Sequence, residues 1–310
     1  MGQIRTVINL LKEGNKKKIG KAIALNISLS KFSHIIPDKY YLKLLYKCYF
    51  GKKLNLNDPL TFNEKLQWIK LYERKNIYTK MVDKAEAKKY ASNIIGDKYI
   101  IKTYGVWEEF DDINFDKLPN QFVLKCTHDS GSVVICKDIK KFDRKKAKEK
   151  IEKGLCTDAY YYGREWPYKN VKPRIIAEEL LIDNKTNDLK DYKFFCFNGK
   201  VQCFKIDFGR FVNHKANYYD RNCRLLPFGE DECPPDNTIV LPIPENFSEM
   251  ISMAEKLSKN TSFLRVDFYN IEGKIYFGEM TFFPASGFGT FTSEKWDRKL
   301  GSWINLCKEK

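Results

Sequence analysis

The stretch that decides the fold reads LRVDFYNIEGKIYFGEMT and covers residues 264–281. Two alternating segments flank a glycine-containing turn, a pattern typical of a β-hairpin. Arg265 and Asp267 share one face of the first segment, and Glu279 and Thr281 share one face of the second. A turn centred on the glycine places Asp267 opposite Glu279 and Arg265 opposite Thr281.

These four side chains indicate a cation site. Two carboxylates side by side on a sheet repel each other unless a cation lies between them. Hard oxygen ligands suit Mg²⁺, which takes one or two carboxylates together with phosphate oxygens and water. Arg265 would hold a phosphate or the charge that develops during its transfer. The alternative is a cross-strand salt bridge on a solvated face, where Arg265 only balances two acids, and the pattern alone does not separate the two.

A second hairpin carries a candidate phosphate-binding loop. The strand-like segment 122–127 contains Lys125 and runs into His128-Asp129-Ser130-Gly131-Ser132, and a further strand follows at Val133–Cys136. A small, polar hairpin tip can fold its amides and hydroxyls over phosphates, while a strand lysine reaches in from below. The alternative is an ordinary surface hairpin, because one glycine is a weak signal for a phosphate loop.

Two further segments place charged residues within strands. Ile175–Leu181 is predicted to be a buried strand that carries Glu178 and Glu179, and its backbone suits pairing with an adenine edge. Asp191-Tyr192-Lys193 precedes Asn198-Gly199, a dipeptide that indicates a hairpin because both residues tolerate positive φ. Each feature is ordinary by itself, since a strand lysine usually extends to solvent.

Helical patterns dominate the chain before these strands. Thr61-Phe62-Asn63-Glu64 fits a capping box at a helix start. A further helix is predicted to begin near Asp83 and to end at Gly96, which suits a left-handed C-terminal cap. We expect residues 1–75 to form a helical, basic N-terminal region.

The order of these features closely resembles the ATP-grasp superfamily, and especially the TupA-like ATP-grasp family associated with teichuronopeptide and capsule-type polysaccharide synthesis. The phrases that carry the resemblance are 62–70, 83–84, 122–131, 175–181, 191–200, 277–287 and 296–303. The resemblance implies an α+β ATP-grasp fold, in which two α+β subdomains grip ATP between antiparallel sheets, with a helical N-terminal extension. The ATP-grasp domain would cover 76–310, with a lid subdomain at about 120–178 and a C-terminal metal-binding subdomain at 179–310.

The resemblance also implies a nucleotide site. Lys125 and Lys193 would contact the phosphates of ATP, and the loop 128–132 would close over them. This loop has one glycine where many ATP-grasp proteins have several, so its closure would be stiffer or would use the hydroxyls of Ser130 and Ser132. The residues implied for the adenine hinge are Glu178, Glu179 and Leu181, the latter two mainly through their backbone atoms.

Metal binding and catalysis are implied for the 264–281 hairpin and its neighbour. Asp267 and Glu279 would bind Mg²⁺, and Thr281 stands where many members of the superfamily have an asparagine ligand. Arg265 would stabilise the transferring phosphoryl group, and Lys193 would assist it. Such enzymes depend more on positioning and electrostatics than on a protein nucleophile.

The implied reaction is that of an ADP-forming carboxylate–amine ligase. A carboxylate would attack the γ-phosphate to form an acyl phosphate, and an amine would then displace phosphate to give an amide. The acid would be a sugar uronate or an acidic amino acid on a cell-surface polymer precursor. Candidate substrate contacts are Arg164 and Trp166 in the aromatic segment 160–168, with Ser286 and Gly287 further along the chain. The alternative for the segment 160–168 is a lid packed against its own subdomain.

Two other functions remain as alternatives. A polysaccharide glycosyltransferase would work in the same pathways, but the chain has no Asp-x-Asp pair of the kind that metal-dependent members use for nucleotide sugars. A nucleic-acid-binding module would explain a net charge of +15, but the chain shows no established RNA- or DNA-binding motif. We therefore expect no nucleic-acid partner.

Charge and cysteine content bear on location. Residues 1–60 contain twelve Lys/Arg and three Asp/Glu, and the basic cluster 16–21 follows an apolar run at 7–11. This arm would touch an anionic membrane, or else it is a solvated basic helix face. Nine cysteines without a Cys-x-x-Cys pair argue against a zinc site and favour reduced thiols in the cytoplasm. With no export signal or membrane span predicted, we expect a cytoplasmic protein that is at most peripheral at the inner membrane face.

Overall fold

The computed structural model describes residues 16–183, 185, 188–209 and 212–306, so the predicted apolar run at 7–11 lies outside the described residues. The α-helices are α1 (Lys16–Leu29), α2 (Asp38–Phe50), α3 (Phe62–Tyr72), α4 (Asn76–Val82), α5 (Lys84–Ile95), α6 (Arg144–Leu155), α7 (Ala159–Gly163), α8 (Phe247–Leu257) and α9 (Glu294–Ser302). The strands are β1 (Thr103–Trp107), β2 (Phe122–Cys126), β3 (Val133–Cys136), β4 (Ile175–Glu178), β5 (Asp191–Phe197), β6 (Lys200–Phe208), β7 (Lys215–Asp220), β8 (Phe263–Ile271) and β9 (Lys274–Thr281). Short 3₁₀ segments lie at Lys31–Ile35, Asp97–Tyr99, Phe110–Asp112, Phe115–Lys117, Ile139–Lys141, Trp166–Tyr168 and Pro284–Gly287.

The strands form two antiparallel sheets. The small sheet has the order β1-β4-β2-β3, and the large sheet has the order β7-β6-β5-β8-β9. Each sheet buries one face against a helix, α6 on the small sheet and α8 on the large one. The small sheet also includes β1, which lies before residue 120, the predicted start of the lid subdomain. The subdomain boundaries given above remain predictions.

Each sheet has its own hydrophobic core. Leu124 of β2 and Ile151 of α6 are fully buried in the first, and Phe194 of β5 and Met250 of α8 are fully buried in the second. A third cluster, built around Tyr41, joins α1 and α2. Helices α1 to α5 all precede the first strand, so the helical part of the chain continues to Ile95. No helix within the described residues is long and apolar enough to cross a bilayer.

Both predicted helix starts are confirmed. The Thr61 hydroxyl accepts a hydrogen bond from the Glu64 amide at 3.2 Å, and the Glu64 carboxylate accepts from the Thr61 amide at 3.1 Å, which completes the capping box. The Asp83 carboxylate accepts from the Ala85 amide at 2.8 Å. This helix ends at Ile95, and the following Gly96 has a φ of 102° and a ψ of 151°, so the predicted left-handed helical cap is wrong although the position does have a positive φ. These caps fix α3 and α5, which lie beside the large sheet.

The predicted hairpin at Asn198-Gly199 is also confirmed. The two residues have φ values of 48° and 76°, and the turn joins β5 to β6. Strand β5 pairs with β8 on its other side, and this places Lys193 directly opposite Asp267. The central strand of the large sheet therefore delivers a lysine to the acidic hairpin.

The predicted pairing of Asp267 with Glu279 in the β8–β9 hairpin is confirmed, but the register nearer the turn differs from the prediction. The turn contains two residues, Glu272 and Gly273, so pairing near it is one residue out of step with the prediction. An irregularity at Gly278 supplies the extra residue and restores Asp267 opposite Glu279. Glycine suits this β-bulge, because an added Cβ would lie 3.1 Å from the Asp267 carbonyl oxygen.

Candidate active site

A single cleft of about 1540 Å³ is lined by residues of both sheets. Fourteen of the seventeen site residues predicted from the sequence line it: Lys125, His128, Ser130, Gly131, Ser132, Glu178, Glu179, Leu181, Lys193, Arg265, Asp267, Glu279, Thr281 and Ser286. These residues lie far apart in the sequence, and the fold brings them to one place.

The acidic hairpin forms a compact polar cluster at this cleft. Arg265 Nη2 lies 2.6 Å from Asp267 Oδ2, 2.8 Å from Glu279 Oε1 and 3.0 Å from Thr281 Oγ1. Three oxygens therefore converge on one cationic nitrogen. Burial opposes ionisation of Asp267, but Arg265 and Lys193 outweigh it and hold the pKa of this carboxyl below its usual range.

Burial is uneven across this cluster. The Asp267 side chain is 2% exposed and the Arg265 side chain is 12% exposed, whereas Glu279 is 46% exposed and reaches into the cleft. A buried ion pair of this kind is weak evidence for stability, because desolvation offsets much of the attraction. In this arrangement Arg265 balances both acids, and the metal site remains a prediction.

Lys193 is buried among carboxylates. Its Nζ lies 2.8 Å from Asp267 Oδ2 and 3.8 Å from Asp207 Oδ2, and it also contacts Asp191. Burial would lower the pKa of Lys193, but Asp191 and Asp267 outweigh it and raise the pKa above its usual value. Lys193 is therefore a permanent positive charge beside the acidic hairpin.

Lys125 and Glu178 face each other across β2 and β4. Lys125 Nζ lies 2.5 Å from one oxygen of Glu178, and Lys88 Nζ of α5 lies 2.7 Å from the other. Burial would raise the pKa of Glu178, but the two lysines outweigh it and lower the pKa to about 2. The Glu179 amide donates to the Lys102 carbonyl at 3.0 Å, so any contact of Glu179 with adenine would use other atoms of the residue.

The loop 128–132 is tied down at its ends and exposed at its tip. The Ser132 hydroxyl donates to Asp129 Oδ2 at 2.5 Å, and His128 Nε2 lies 3.0 Å from the Thr157 carbonyl oxygen. Ser130 and Gly131 form the exposed tip, and an added Cβ at Gly131 would meet nothing within 4 Å. The tip therefore has space around it, as a loop that closes over phosphates requires.

The comparisons with known proteins agree with this geometry. A family model described as TupA-like ATPgrasp matches residues 64–305. The chain belongs to the TupA-like ATP-grasp family. Its fold is the α+β ATP-grasp fold predicted from the sequence, and family membership favours the ligase prediction over the glycosyltransferase and nucleic-acid alternatives.

Several solved structures are similar to this ATP-grasp chain. The L-amino acid ligase of Bacillus licheniformis is 13% identical with a TM-score of 0.45, and the match covers 81% of this chain and 56% of that one. The D-alanine–D-alanine ligase of Helicobacter pylori is 15% identical with a TM-score of 0.41, covering 78% and 69%. The corresponding ligase of Bacillus anthracis, complexed with ATP, is 16% identical with a TM-score of 0.36, covering 65% and 53%. The chain thus spans about half the length of this last structure. No curated protein matches this chain.

Three predicted substrate residues of this ATP-grasp protein do not line the cleft: Arg164, Trp166 and Gly287. Arg164 is 1% exposed, donates to the Ser33 carbonyl at 2.6 Å and pairs with Asp38 at 3.2 Å, so it cannot grip a substrate carboxylate. Neither interpretation of the segment 160–168 describes Arg164, because this side chain fastens the segment to the N-terminal helices and not to its own subdomain. Gly287 is buried, and its carbonyl accepts from Gln67 at 2.7 Å.

Other residues that line the cleft were not predicted from the sequence to be site residues. Lys84 lines the cleft and holds the phosphate loop by donating to the Asp129 carbonyl, although Asp83-Lys84 was among the resembling phrases. Glu165 and Tyr168 also line the cleft, and a short-range pattern gives no signal for either. Both come to the site through the packing of α7 against distant helices.

Proposed function

We propose that the protein is an ATP- and Mg²⁺-dependent, ADP-forming ligase that joins a carboxylate to an amine through an acyl phosphate. The observation that carries the proposal is that oxygens of Asp267, Glu279 and Thr281 lie together around the Arg265 guanidinium. This position shares a cleft with Lys125 and Lys193. Such a combination of oxygen ligands and lysines suits a triphosphate with its metal ion.

The donor set fits Mg²⁺. The two carboxylates and the hydroxyl are hard oxygen ligands, and the position of Arg265 Nη2 within 3.0 Å of all three supports a cation site among them. Asp267 and Glu279 would hold the ion, with Thr281 beside them. Bound Mg²⁺ would offset the negative charge of the β- and γ-phosphates during transfer.

The side chains of the cleft suit the two chemical steps. In the first, a carboxylate oxygen attacks the γ-phosphorus, the bond to the β-phosphate oxygen breaks, and ADP leaves. Lys125 and Lys193 hold the phosphates, and Arg265 stabilises the charge of the transferring group. In the second, an amine attacks the acyl carbon and phosphate leaves with the bonding electrons.

For the substrates, we propose a sugar uronate or an acidic amino acid as the carboxylate, on a precursor of a capsule or teichuronopeptide-type polymer. Support comes from the family resemblance and from a net charge of +15, which favours anionic substrates. The amine partner is considered below.

We also propose a cytoplasmic location with peripheral contact at the inner membrane face. Support comes from the surface around the 3₁₀ segment Lys31–Ile35, where Phe32 is 82% exposed and Ile35 is 81% exposed. Residues 16–50 contain eight lysines and one acidic residue, Asp38, which pairs with Arg74 and Arg164. Exposed apolar side chains among lysines suit an anionic bilayer surface.

The test of the ligase proposal is calorimetric titration with a non-hydrolysable ATP analogue, with and without Mg²⁺. Glu279→Gln removes one proposed metal ligand, and we expect the Mg²⁺-dependent affinity to fall by at least about tenfold. Glu272→Gln is the matched control, because Glu272 lies in the exposed turn of the same hairpin and pairs only loosely with Lys185 at 3.6 Å. Failure of the folded wild-type protein to bind the analogue would refute the proposal.

A further inference from the structure

A buried lysine lies behind one wall of the cleft. Lys70 of α3 is 1% exposed, and its Nζ donates to the Gly163 carbonyl at 2.6 Å, the Ser286 carbonyl at 2.8 Å and the Ser286 hydroxyl at 3.2 Å. Its ammonium also lies 4.8 Å from the centre of the Phe288 ring. Burying a cation with only neutral hydrogen-bond acceptors is costly, so a negative charge nearby would stabilise the charged form of Lys70.

Glu165 supplies that charge. It is half-buried and lines the cleft beside Ser286, and Lys70 opposes the rise that burial causes in its pKa. The approach is close: an added Cβ at Gly163 would lie 1.9 Å from Ser286 Oγ and 3.3 Å from Glu165 Oε1. Lys70, Glu165 and Ser286 thus form one polar cluster, which we call the Glu165 cluster.

The turn that presents Ser286 is strained. Ala285 and Ser286 have φ values of 47° and 52°, and Gly287 follows with 64°, so three consecutive residues adopt the left-handed conformation. Non-glycine residues in this region cost about 1–2 kcal/mol each and persist where the surroundings enforce them. Here Lys70 and Gln67 hold the carbonyls of the turn, which fixes the Ser286 hydroxyl beside Gly163, where Glu165 Oε1 also lies.

Tyr168 connects the Glu165 cluster to the phosphoryl-transfer residues. Tyr168 lines the same cleft as Glu165, Glu279 and Arg265, and burial raises the pKa of its hydroxyl, to which the two carboxylates add. The wall around it comes from α1, α2, the segment 159–168 and the turn 283–288. Among the described cleft-lining residues of these four elements, Glu165 is the single charged side chain, whereas the lysines of the cleft lie on other elements.

We propose that Glu165 binds the ammonium form of the amine substrate and takes up its proton, with Ser286 and Tyr168 completing the subsite and Lys70 positioning the carboxylate. This inference rests on the ligase function proposed above. A wall whose one charge is negative favours a cation, and a primary amine is largely protonated near neutral pH. An ammonium cannot attack an acyl carbon, because its nitrogen has no free electron pair.

The proton balance of the step is complete. Glu165 accepts one proton from the ammonium, and the freed nitrogen pair forms the bond to the acyl carbon of the acyl phosphate. The bond from that carbon to the phosphate oxygen breaks, and phosphate leaves with the electron pair. The second amine proton goes to the departing phosphate, which becomes hydrogen phosphate, and Glu165 returns its proton to solvent.

The electrostatics of the Glu165 cluster suit this role. Burial raises the pKa of Glu165, and Lys70 and the Ser286 hydroxyl oppose that rise. Burial lowers the pKa of Lys70, and Glu165 opposes that fall. The titratable groups that face Glu165 are Lys70 from α3 and Tyr168 from its own segment, and Tyr168 in turn faces Glu279, Arg265 and Asp129. A carboxyl whose pKa is raised is a better proton acceptor from an amine than an ordinary one.

The test uses the whole chain labelled with ¹³C at the glutamate carboxyl carbons, and Glu165→Gln assigns the Glu165 resonance in the NMR spectrum. Methylammonium chloride is the probe, titrated with and without Mg²⁺ and the non-hydrolysable ATP analogue. Sodium chloride at equal ionic strength is the control. We expect a saturable shift of the Glu165 resonance and a fall in its pKa with methylammonium alone, because a bound cation favours the carboxylate.

Ser286→Ala provides a second variant that keeps the carboxylate, and we expect it to weaken the methylammonium response. If Glu165 responds to methylammonium while the nucleotide fails to bind, the subsite stands and the ligase proposal falls. If the nucleotide binds but methylammonium leaves the Glu165 resonance unmoved, or sodium chloride moves it equally, the inference is overturned while the ligase proposal survives.

Discussion

At the scale of single residues, the two lysines on Glu178 have different tasks. Lys125 reaches into the cleft, whereas Lys88 is buried and also donates to the Ile101 carbonyl at 2.7 Å and to the Thr103 hydroxyl at 2.9 Å. We expect Lys88→Met to lower the free energy of unfolding by about 3–5 kcal/mol, because it leaves a buried carboxylate with one partner fewer. Urea denaturation at neutral pH measures the change.

The matched control is the next lysine along α5. Lys89→Met removes an exposed pair with Glu86 at 3.2 Å, and we expect it to cost at most about 1 kcal/mol.

Acid titration adds a second measurement. Because the pKa of Glu178 is lowered to about 2 in the folded protein, its stabilisation is complete above about pH 4.3 and is lost as the pH falls toward 2. Lys88→Met should flatten this dependence, and equal losses for Lys88→Met and Lys89→Met would contradict the assignment.

At the scale of elements, two hairpin turns depend on left-handed glycines. Gly199 and Gly273 have φ values of 76° and 80°, and an added Cβ would meet no atom closer than 3.6 Å at the first and none within 4 Å at the second. Backbone strain is therefore the main cost, and we expect Gly199→Ala and Gly273→Ala each to destabilise the protein by about 1–2 kcal/mol. Gly131→Ala is the control, since Gly131 has open space and no positive φ, and we expect a change within about 0.5 kcal/mol by thermal or urea unfolding. A loss at Gly131 as large as at the two turns would refute this explanation.

Local signals explain which elements could be predicted from the sequence. The Asn198-Gly199 turn and the capping box at Thr61 each depend on a few adjacent residues, so their patterns are sufficient. The β-bulge at Gly278 was not predicted, because a glycine within a strand pattern is compatible both with regular pairing and with a bulge. Alternation along β8 and β9 fixes which side chains share a face, and this explains why the site residues predicted on these two strands line the cleft together.

Long-range packing explains what the sequence could not predict. Arg164 occurs in an aromatic segment that was predicted to contact substrate, and its burial depends on Ser33 and Asp38 in a distant part of the chain. Lys70 is one of many lysines, and its place in the Glu165 cluster depends on carbonyls of Gly163 and Ser286. Contacts of this kind leave no periodicity in the sequence.

At the scale of the whole molecule, lysines are concentrated on two surfaces. Lysines line the nucleotide end of the cleft, and a second set surrounds the exposed apolar side chains near residue 32. The second set includes Lys31, Lys39 and Lys43, which are all exposed. An anionic polymer precursor attached to a membrane would be attracted by both surfaces, so peripheral binding would bring the cleft close to its substrate.

The membrane proposal predicts lipid-dependent binding that requires both charge and apolar side chains. Phe32→Ser combined with Ile35→Ser removes two exposed apolar side chains, and we expect it to reduce co-sedimentation with vesicles of phosphatidylcholine and phosphatidylglycerol at least about tenfold. Val240→Ser is the matched control, because Val240 is 92% exposed but lies elsewhere in the chain. Binding should also weaken in high salt and vanish on pure phosphatidylcholine, since the Debye length shortens and the anionic charge is absent. Equal binding of the double variant and the control would show that this surface does not meet the membrane, and loss of a dimer in the double variant would assign it to a second copy of the chain.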